Sequence, residues 1–371
     1  MTSNPTNLIS INIARGLAAF SVFVYHYGVG TIAAKYSGIT QFNWIAIPGA
    51  IYGVTLFFVI SGFCIHGSEW RRLQHRGDQR FDGRAYFRRR VLRIYPVYIF
   101  SLAISCALIL ANGVKLCAGD IFYHVLLLHG FSQAYFNSIN LVLWTISIEA
   151  FFYVIYPLWL DYRVKVGLHQ SFIVGAGICL SSLIVSAIFF YPYGLPVRWF
   201  FLNTWGGWLA GALLAETIET NPRFFRGASW WGAGALSWCL VIFAESRGLF
   251  EGRALILLFP VRIILCVWPL SALVIAEGWF AAAKGYKRQT IKSLSLIGVV
   301  SYSLYLLHEP LIEVRNILQG AFTYVPLRLV FEGVWFFAIV GASWLSYRFV
   351  ELPFIGKSQK RNIAPVMDVA R

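Results

Sequence analysis

About ten stretches of this 371-residue chain are apolar over roughly the 17 to 25 residues needed to cross a bilayer's hydrocarbon core. They run near 8–29, 46–67, 95–114, 141–160, 170–191, 198–216, 228–246, 255–277, 294–313 and 328–350. The runs are continuous rather than alternating, so each segment must close its backbone hydrogen bonds within itself, as an α-helix does. The expected fold is all-α: a polytopic membrane helix bundle of about ten transmembrane helices. Residues 1–355 are expected to form the transmembrane domain and 356–371 a short cytoplasmic tail. Only 13% of the residues are charged and 58% are hydrophobic. A soluble domain carries about 25% charged residues, so no soluble domain of useful size is expected. Val125 to Phe131 is apolar but too short to cross, and reads as a re-entrant or interfacial segment.

The formal charge is +15, and where it sits matters more than its size. Placing the N-terminus in the cytoplasm puts 22 of the 31 Lys and Arg residues on the cytoplasmic side and seven outside, with Arg15 and Arg262 inside spans. That asymmetry is a positive-inside signal for both termini in the cytoplasm and argues against nucleic acid as the reason for the charge. The six cysteines are dispersed, with neither metal-ligand spacing nor a disulfide framework. The first segment lacks the charged start and cleavage chemistry of a signal peptide, so it is expected to stay as a span.

Within that first segment stand Arg15 and His26, eleven residues apart. On a helix this is about three turns, so both point from nearly one face, about 16 Å apart along the axis. Ionisable groups inside a span are costly and mark functional sites by default. Two readings are open: a site running from one membrane surface inward, or a snorkelling Arg with a packed His. The fourth segment adds Glu149, with Thr145 one turn earlier on its face. An intramembrane carboxylate needs a cation, a proton or a ligand, so it is either a structural partner of an Arg or a partner of His26. A Glu beside a His can hold the tautomer that makes imidazole a base.

Nine Arg and no Lys lie between Arg71 and Arg93. Membrane anchoring and anionic lipid explain clustered Arg without a substrate. Arg also clamps phosphate oxygens in a bidentate way that Lys cannot, which points to recognition of a phosphorylated ligand by this loop. Arg90 and Arg93 share a face if the segment is helical. Ser61-Gly62 in the second segment suits close helix approach or a local opening. In the ninth, Ser301, Tyr305 and His308 fall on one helical face, a polar stripe expected to face a cavity or the bundle interior. Arg348 and Glu351 read as an interfacial ion pair. His66, His75, His124, His129 and His169 are expected to be exposed or interfacial. Walker, HExxH, CxxC, dinucleotide and GxSxG motifs are absent.

Taken in order, Arg15 and His26, Phe57-Phe58-Val59-Ile60-Ser61-Gly62-Phe63, Arg90-x-x-Arg93-x-x-Pro96, Trp144-Thr145-Ile146-Ser147-Ile148-Glu149 with Phe152-Tyr153, Ser301 to His308, and Glu351-x-Pro353 resemble the membrane-bound acyltransferase family 3. The family often has Ser where this chain has Thr145, which keeps the hydroxyl. The resemblance implies a multi-pass inner (plasma) membrane enzyme that moves acetyl or related short acyl groups from cytoplasmic acyl-CoA to sugar hydroxyls of a glycan or glycolipid acceptor. Some members carry a fused extracytoplasmic hydrolase-like domain; this chain ends soon after its last segment and is expected to lack one. The implied catalytic residues are His26, Glu149 and Arg15, with Arg88, Arg90 and Arg93 holding the acyl-CoA phosphates. Ser61, Ser147, Tyr153, Ser301, Tyr305 and His308 are expected along the substrate channel. No metal and no permanently bound cofactor is expected; acyl-CoA is the donor substrate, and the other partners are the acceptor and the bilayer, not nucleic acid. The rival reading is a transporter or flippase for a lipid-linked glycan, with no bond chemistry.

Overall fold

The computed structural model describes residues 8–39, 43–76, 81–190, 199–246, 256 and 258–355. Its helices are α1 Ile9–Tyr27, α2 Val29–Ser37, α3 Asn43–Arg76, α4 Gly83–Ala111, α5 Ala118–Val125, α6 Trp144–Val166, α7 Leu168–Val185, α8 Phe201–Thr220, α9 Ala228–Ser246, α10 Phe259–Ile275, α11 Glu277–Ala282, α12 Gly285–Val299, α13 Ser301–Leu318 and α14 Val325–Ser346. Short π segments continue α7 through Phe190 and α14 through Glu351. The described parts of the ten apolar segments fall on this helical framework. Among the described residues, five helices are long and apolar enough to cross a membrane, and six if the bent pair α12–α13 counts as one. The 356–371 tail lies outside the described residues.

The chain folds as two compact units. Unit 1 comprises residues 1–15, 54–83 and 148–295. Here α3 and α8 touch backbone to backbone: a Cβ on Gly62 would collide with the carbonyl of Trp208, and one on Gly211 with that of Val59. Small residues permit this because side chains would otherwise hold the helices apart, and it is the close approach expected of Ser61-Gly62. The first turn of α1 is capped from far along the chain. Glu277 accepts from Ile9 N at 2.9 Å and Ser10 N at 2.8 Å. A carboxylate there satisfies two helix-end donors and complements the helix dipole.

Unit 2 comprises residues 16–53, 84–147 and 296–371. Its frame is set by helices that run in the same direction. Gly16 lies against the backbone of Gly298, and Arg315 Nη1, near the end of α13, donates to Tyr27 O at 2.7 Å at the end of α1. Tyr302 Oη donates to Ile94 O at 2.9 Å and Ser101 Oγ to Leu306 O at 2.6 Å, so α4 and α13 also run alongside. On α14, Phe336 packs its ring on Phe23 and Tyr27, and Trp335 Nε1 donates to Leu311 O at 2.9 Å. The buried Glu332 accepts from Tyr27 Oη at 3.1 Å and pairs with Arg315 at 3.5 Å. Glu351, expected in an interfacial ion pair with Arg348, is buried at 3% exposure and accepts from Ser303 Oγ at 2.8 Å. It lies in the π segment at the end of α14, and a carboxylate buried there needs a hydrogen bond or a countercharge.

Candidate functional site

α1 is helical through both Arg15 and His26, as their spacing requires. At its last turn, in unit 2, His26 Nδ1 stands 2.8 Å from His308 Nε2. The ring planes are within 14° and the centroids 5.1 Å apart. That separation is the N···N distance plus about one ring radius at each end, so the rings meet edge to edge through a hydrogen bond rather than face to face. His308 is fully buried, and its Nδ1 lies 3.1 Å from Leu304 O. Glu309 Oε2 approaches His26 Nδ1 at 3.9 Å. His26 itself keeps 19% side-chain exposure, and its Nε2 makes no hydrogen bond to a described residue.

The polar stripe of α13 therefore turns inward, and its residues have distinct tasks. His308 is the direct partner of His26. Tyr305 Oη lies 3.0 Å from Thr145 Oγ1, and its ring is 5.8 Å from that of His308. Ser301 Oγ donates to Gly298 O at 2.7 Å and so closes the break between α12 and α13. Ser147 is occupied elsewhere in unit 2: its Oγ donates to Leu127 O at 2.5 Å and accepts from Gly130 N at 3.2 Å, bracing the turn after α5.

The arginines are helical too, since α4 starts at Gly83. Arg88 is exposed, while Arg90 and Arg93 are half-buried one turn apart, with Arg90 over the Tyr86 ring at 5.4 Å. Arg93 adjoins Ile94, which is level with Tyr302. On the same pair of helices Ser101 meets Leu306, two residues before His308, so the arginine end stands roughly 12 to 15 Å of helix rise from the histidine pair.

Unit 1 holds the remaining expected residues. Glu149 Oε1 accepts from Ser61 Oγ at 2.8 Å and Tyr153 Oη at 2.6 Å, a hydroxyl-lined carboxylate. Arg15 Nη2 donates to Cys64 Sγ at 3.2 Å. A further cluster was not anticipated. His66, expected near the surface, is fully buried, with Nε2 at 2.5 Å from Glu216 Oε1 and Nδ1 at 3.2 Å from Tyr156 Oη. Arg163 also pairs with Glu216 and lies over the Trp70 ring at 3.7 Å. A cavity of about 680 Å³, lined by apolar side chains such as Leu209, Phe225 and Ile263, lies among α7, α8 and α10, and none of the expected site residues lines it.

Two other histidine expectations also change. His124 and His129 are both fully buried, with rings stacked face to face at 4.0 Å. Burial lowers the affinity of each for a proton, and for His129 the neighbouring His124 adds to it, bringing its pKa to about 3. His169 is exposed, as expected, and the side chain of His75 lies outside the described residues.

Sequence reasoning missed Glu309 and Glu216. Glu309 adjoins His308 but lies off the Ser301–Tyr305–His308 face; Glu216 sits at the edge of an apolar segment, where a charge is unremarkable. The rule that singled out Glu149 would have found both. No metal-ligand spacing is legible in the chain, yet packing brings one donor atom each of His26, His308 and Glu309 within 4.8 Å of one another, close enough that this set could hold a metal ion.

A histidine with one nitrogen held and one free can move a proton. Listeria monocytogenes peptidoglycan O-acetyltransferase OatA is 27% identical over 93% of this chain and 55% of its own length. The Staphylococcus aureus O-acetyltransferase OatA is 25% identical over 96% of this chain and 58% of its own. The chain thus spans somewhat over half the length of these relatives. No solved structure matches it. The family model described as the acyltransferase domain matches residues 8–348, nearly the whole chain, and this chain belongs to that family, acyltransferase family 3.

Proposed function

We propose that this protein is a multi-pass inner-membrane O-acyltransferase that moves an acetyl or other short acyl group from cytoplasmic acyl-CoA to a sugar hydroxyl of a surface or lipid-linked glycan. In this reading about ten segments cross the bilayer and both termini face the cytoplasm. The observation that carries it is the His26–His308 pair, with His26 Nε2 left for another molecule and the arginines of α4 packed beside the same helix α13. The names of the relatives support O-acetyl transfer, and that of the Listeria relative supports peptidoglycan as the kind of acceptor.

The acyl-CoA phosphates rest on Arg88, Arg90 and Arg93, and the pantetheine arm runs along α13 toward His26. His26 takes the proton of the acceptor hydroxyl as that oxygen bonds to the thioester carbonyl carbon. The carbon–sulfur bond then breaks, and the proton passes from His26 to the departing CoA sulfur. Base assistance of this kind is worth roughly 10² to 10⁴ in rate. A thioester is already activated, so holding the two reactants in line supplies much of the remainder. The resemblance also gives Arg15 and Glu149 roles in the reaction, and Ser61 and Tyr153, which hydrogen-bond the Glu149 carboxylate, are carried with it as candidate channel residues.

Membrane vesicles supplied with labelled acetyl-CoA and extracted glycan test this. His26→Ala should lower transfer by about 10²-fold or more at normal insertion. Arg93→Ala should raise the KM for acetyl-CoA by about tenfold, the loss of one charge-assisted hydrogen bond. Full activity in the first variant removes the base, and unchanged acetyl-CoA affinity in the second removes the phosphate contact. Movement of a lipid-linked glycan without consumption of acyl-CoA would overturn the enzyme reading in favour of a transporter.

A further inference from the structure

A neutral imidazole has one nitrogen that donates and one that accepts, and its use as a base depends on which is which. The chain fixes this at His26 through two successive contacts in unit 2. Leu304 O, one turn before His308 on α13, is a carbonyl and can only accept. His308 Nδ1, at 3.1 Å from it, therefore carries the hydrogen. With both rings neutral, His308 Nε2 then presents a lone pair toward His26. His26 Nδ1 lies 2.8 Å away, too close for two facing lone pairs, so it carries the hydrogen of that bond. The lone pair of His26 is left on Nε2, the nitrogen with no described partner.

We infer that His308 is a positioning residue: it transmits the polarity of the Leu304 carbonyl to His26, holds His26 in the Nδ1–H form, and thereby makes Nε2 the basic atom. The near-coplanar rings fix the orientation of His26 as well as its tautomer, because a hydrogen bond lying in both ring planes resists rotation of either. Glu309 Oε2 also lies on the Nδ1 side of the ring, at 3.9 Å, and leaves Nε2 clear. Orientation of a base by a second group is the general logic of catalytic dyads and triads, here with a backbone carbonyl as its fixed end.

This inference rests on the proposal that His26 is the base, but its first test does not use activity. The full-length protein is labelled with ¹⁵N-histidine, reconstituted in lipid bilayers and studied by solid-state NMR, with His26→Ala identifying the His26 signals by difference. The wild-type spectrum should show His26 Nδ1 as a protonated nitrogen and Nε2 as an unprotonated one. His308→Ala should give a mixture of both tautomers at His26. His308→Gln should restore the single form, because its carboxamide oxygen can accept from Nδ1–H. In transfer assays His308→Ala should lower kcat by at least tenfold with the KM for acetyl-CoA within twofold, and His308→Gln should recover most of that loss. A wild-type His26 protonated at Nε2, or a His308→Ala protein that keeps the Nδ1–H form, would overturn the inference. So would a shift of both rings on chelator treatment with release of a divalent ion, which would make the pair a metal site. Undiminished transfer by His26→Ala, with the tautomers as expected, would instead remove the base assignment and leave the positioning contact intact.

Discussion

His66 in unit 1 and His26 in unit 2 are both imidazoles on largely apolar helices, and the protein engages them to different degrees. Both nitrogens of His66 are bound, one by Glu216 and the other by Tyr156, and Arg163 completes the charge on the same carboxylate. His26 has one nitrogen bound, by another histidine, and one free among the described residues. The His66 cluster is closed: each charge meets its opposite and aromatic rings enclose it, with Trp159 and Trp70 at 5.0 and 5.9 Å from His66. The His26 cluster is supported from one side only. Burial of an ionisable residue therefore does not by itself indicate chemistry; the base proposed at His26 needs, besides, a lone pair on an oriented ring that no described residue takes up.

Substitutions can sharpen that contrast or dissolve it. The largest expected effect is catalytic: His26→Ala should cost about 10²-fold or more in transfer while leaving the thermal unfolding midpoint close to wild type. A drop in Tm as large as the drop in rate would make His26 another closed, structural histidine. Next comes Glu216→Ala, which strips a partly buried Arg and a buried His of their shared carboxylate. Breaking a buried ion pair from one side costs about 3 to 5 kcal/mol, so detergent-solubilised protein should show a much lower midpoint or fail to accumulate. Wild-type stability in that variant would reopen the cluster as a functional site.

A third histidine pair tests the comparison by pH. His124 and His129 lie in the connection after α4, outside the helices that pass as spans, and their stacked rings are buried neutral. The His129 pKa falls from 6.5 to about 3 on folding. Between these values the unfolded segment binds more protons than the folded one, so stability rises with pH. The contribution is fully present above pH 6.5 and is lost as the pH falls toward 3. From pH 6.5 to pH 5, His129 alone should weaken the segment by about 2 kcal/mol. Hydrogen exchange of residues 118–131 at the two pH values reads this, and equal protection at both would mean that the rings are not held neutral. The smallest effect belongs to Thr145→Val, which removes the hydrogen bond to Tyr305 and should cost about 1 kcal/mol by thermal unfolding.

Much of the framework was legible in the chain. Continuous apolar runs announced the helices, because in lipid the backbone has few other ways to satisfy itself. The spacing of Arg15 and His26 and the Ser61-Gly62 pair were legible for the same reason: they are properties of one helix or of one small side chain. What lay out of reach was which helix meets which. Thr145 and Tyr305 are 160 positions apart, and His26 and His308 282, and no local period joins them. His66 looked like a surface residue because it borders the arginine-rich loop, and His124 and His129 because they lie in the connection between long apolar segments; the burial comes from packing against other elements and, for the last two, against each other. Glu149 carried a readable signal as an intramembrane carboxylate, and its hydroxyl partners within unit 1 became visible only with α3 laid beside α6.

The Glu277 cap on α1 has a consequence for biogenesis. Ile9 emerges from the ribosome 268 residues ahead of the carboxylate that accepts its amide hydrogen. The helix bearing Arg15 and His26 must therefore enter the membrane with its leading amides answered by water or lipid headgroups, and exchange them for Glu277 only after translation has passed that point. Final seating of this helix is a late event in assembly, so a chain truncated before Glu277 can insert α1 but lacks the latch that finishes it.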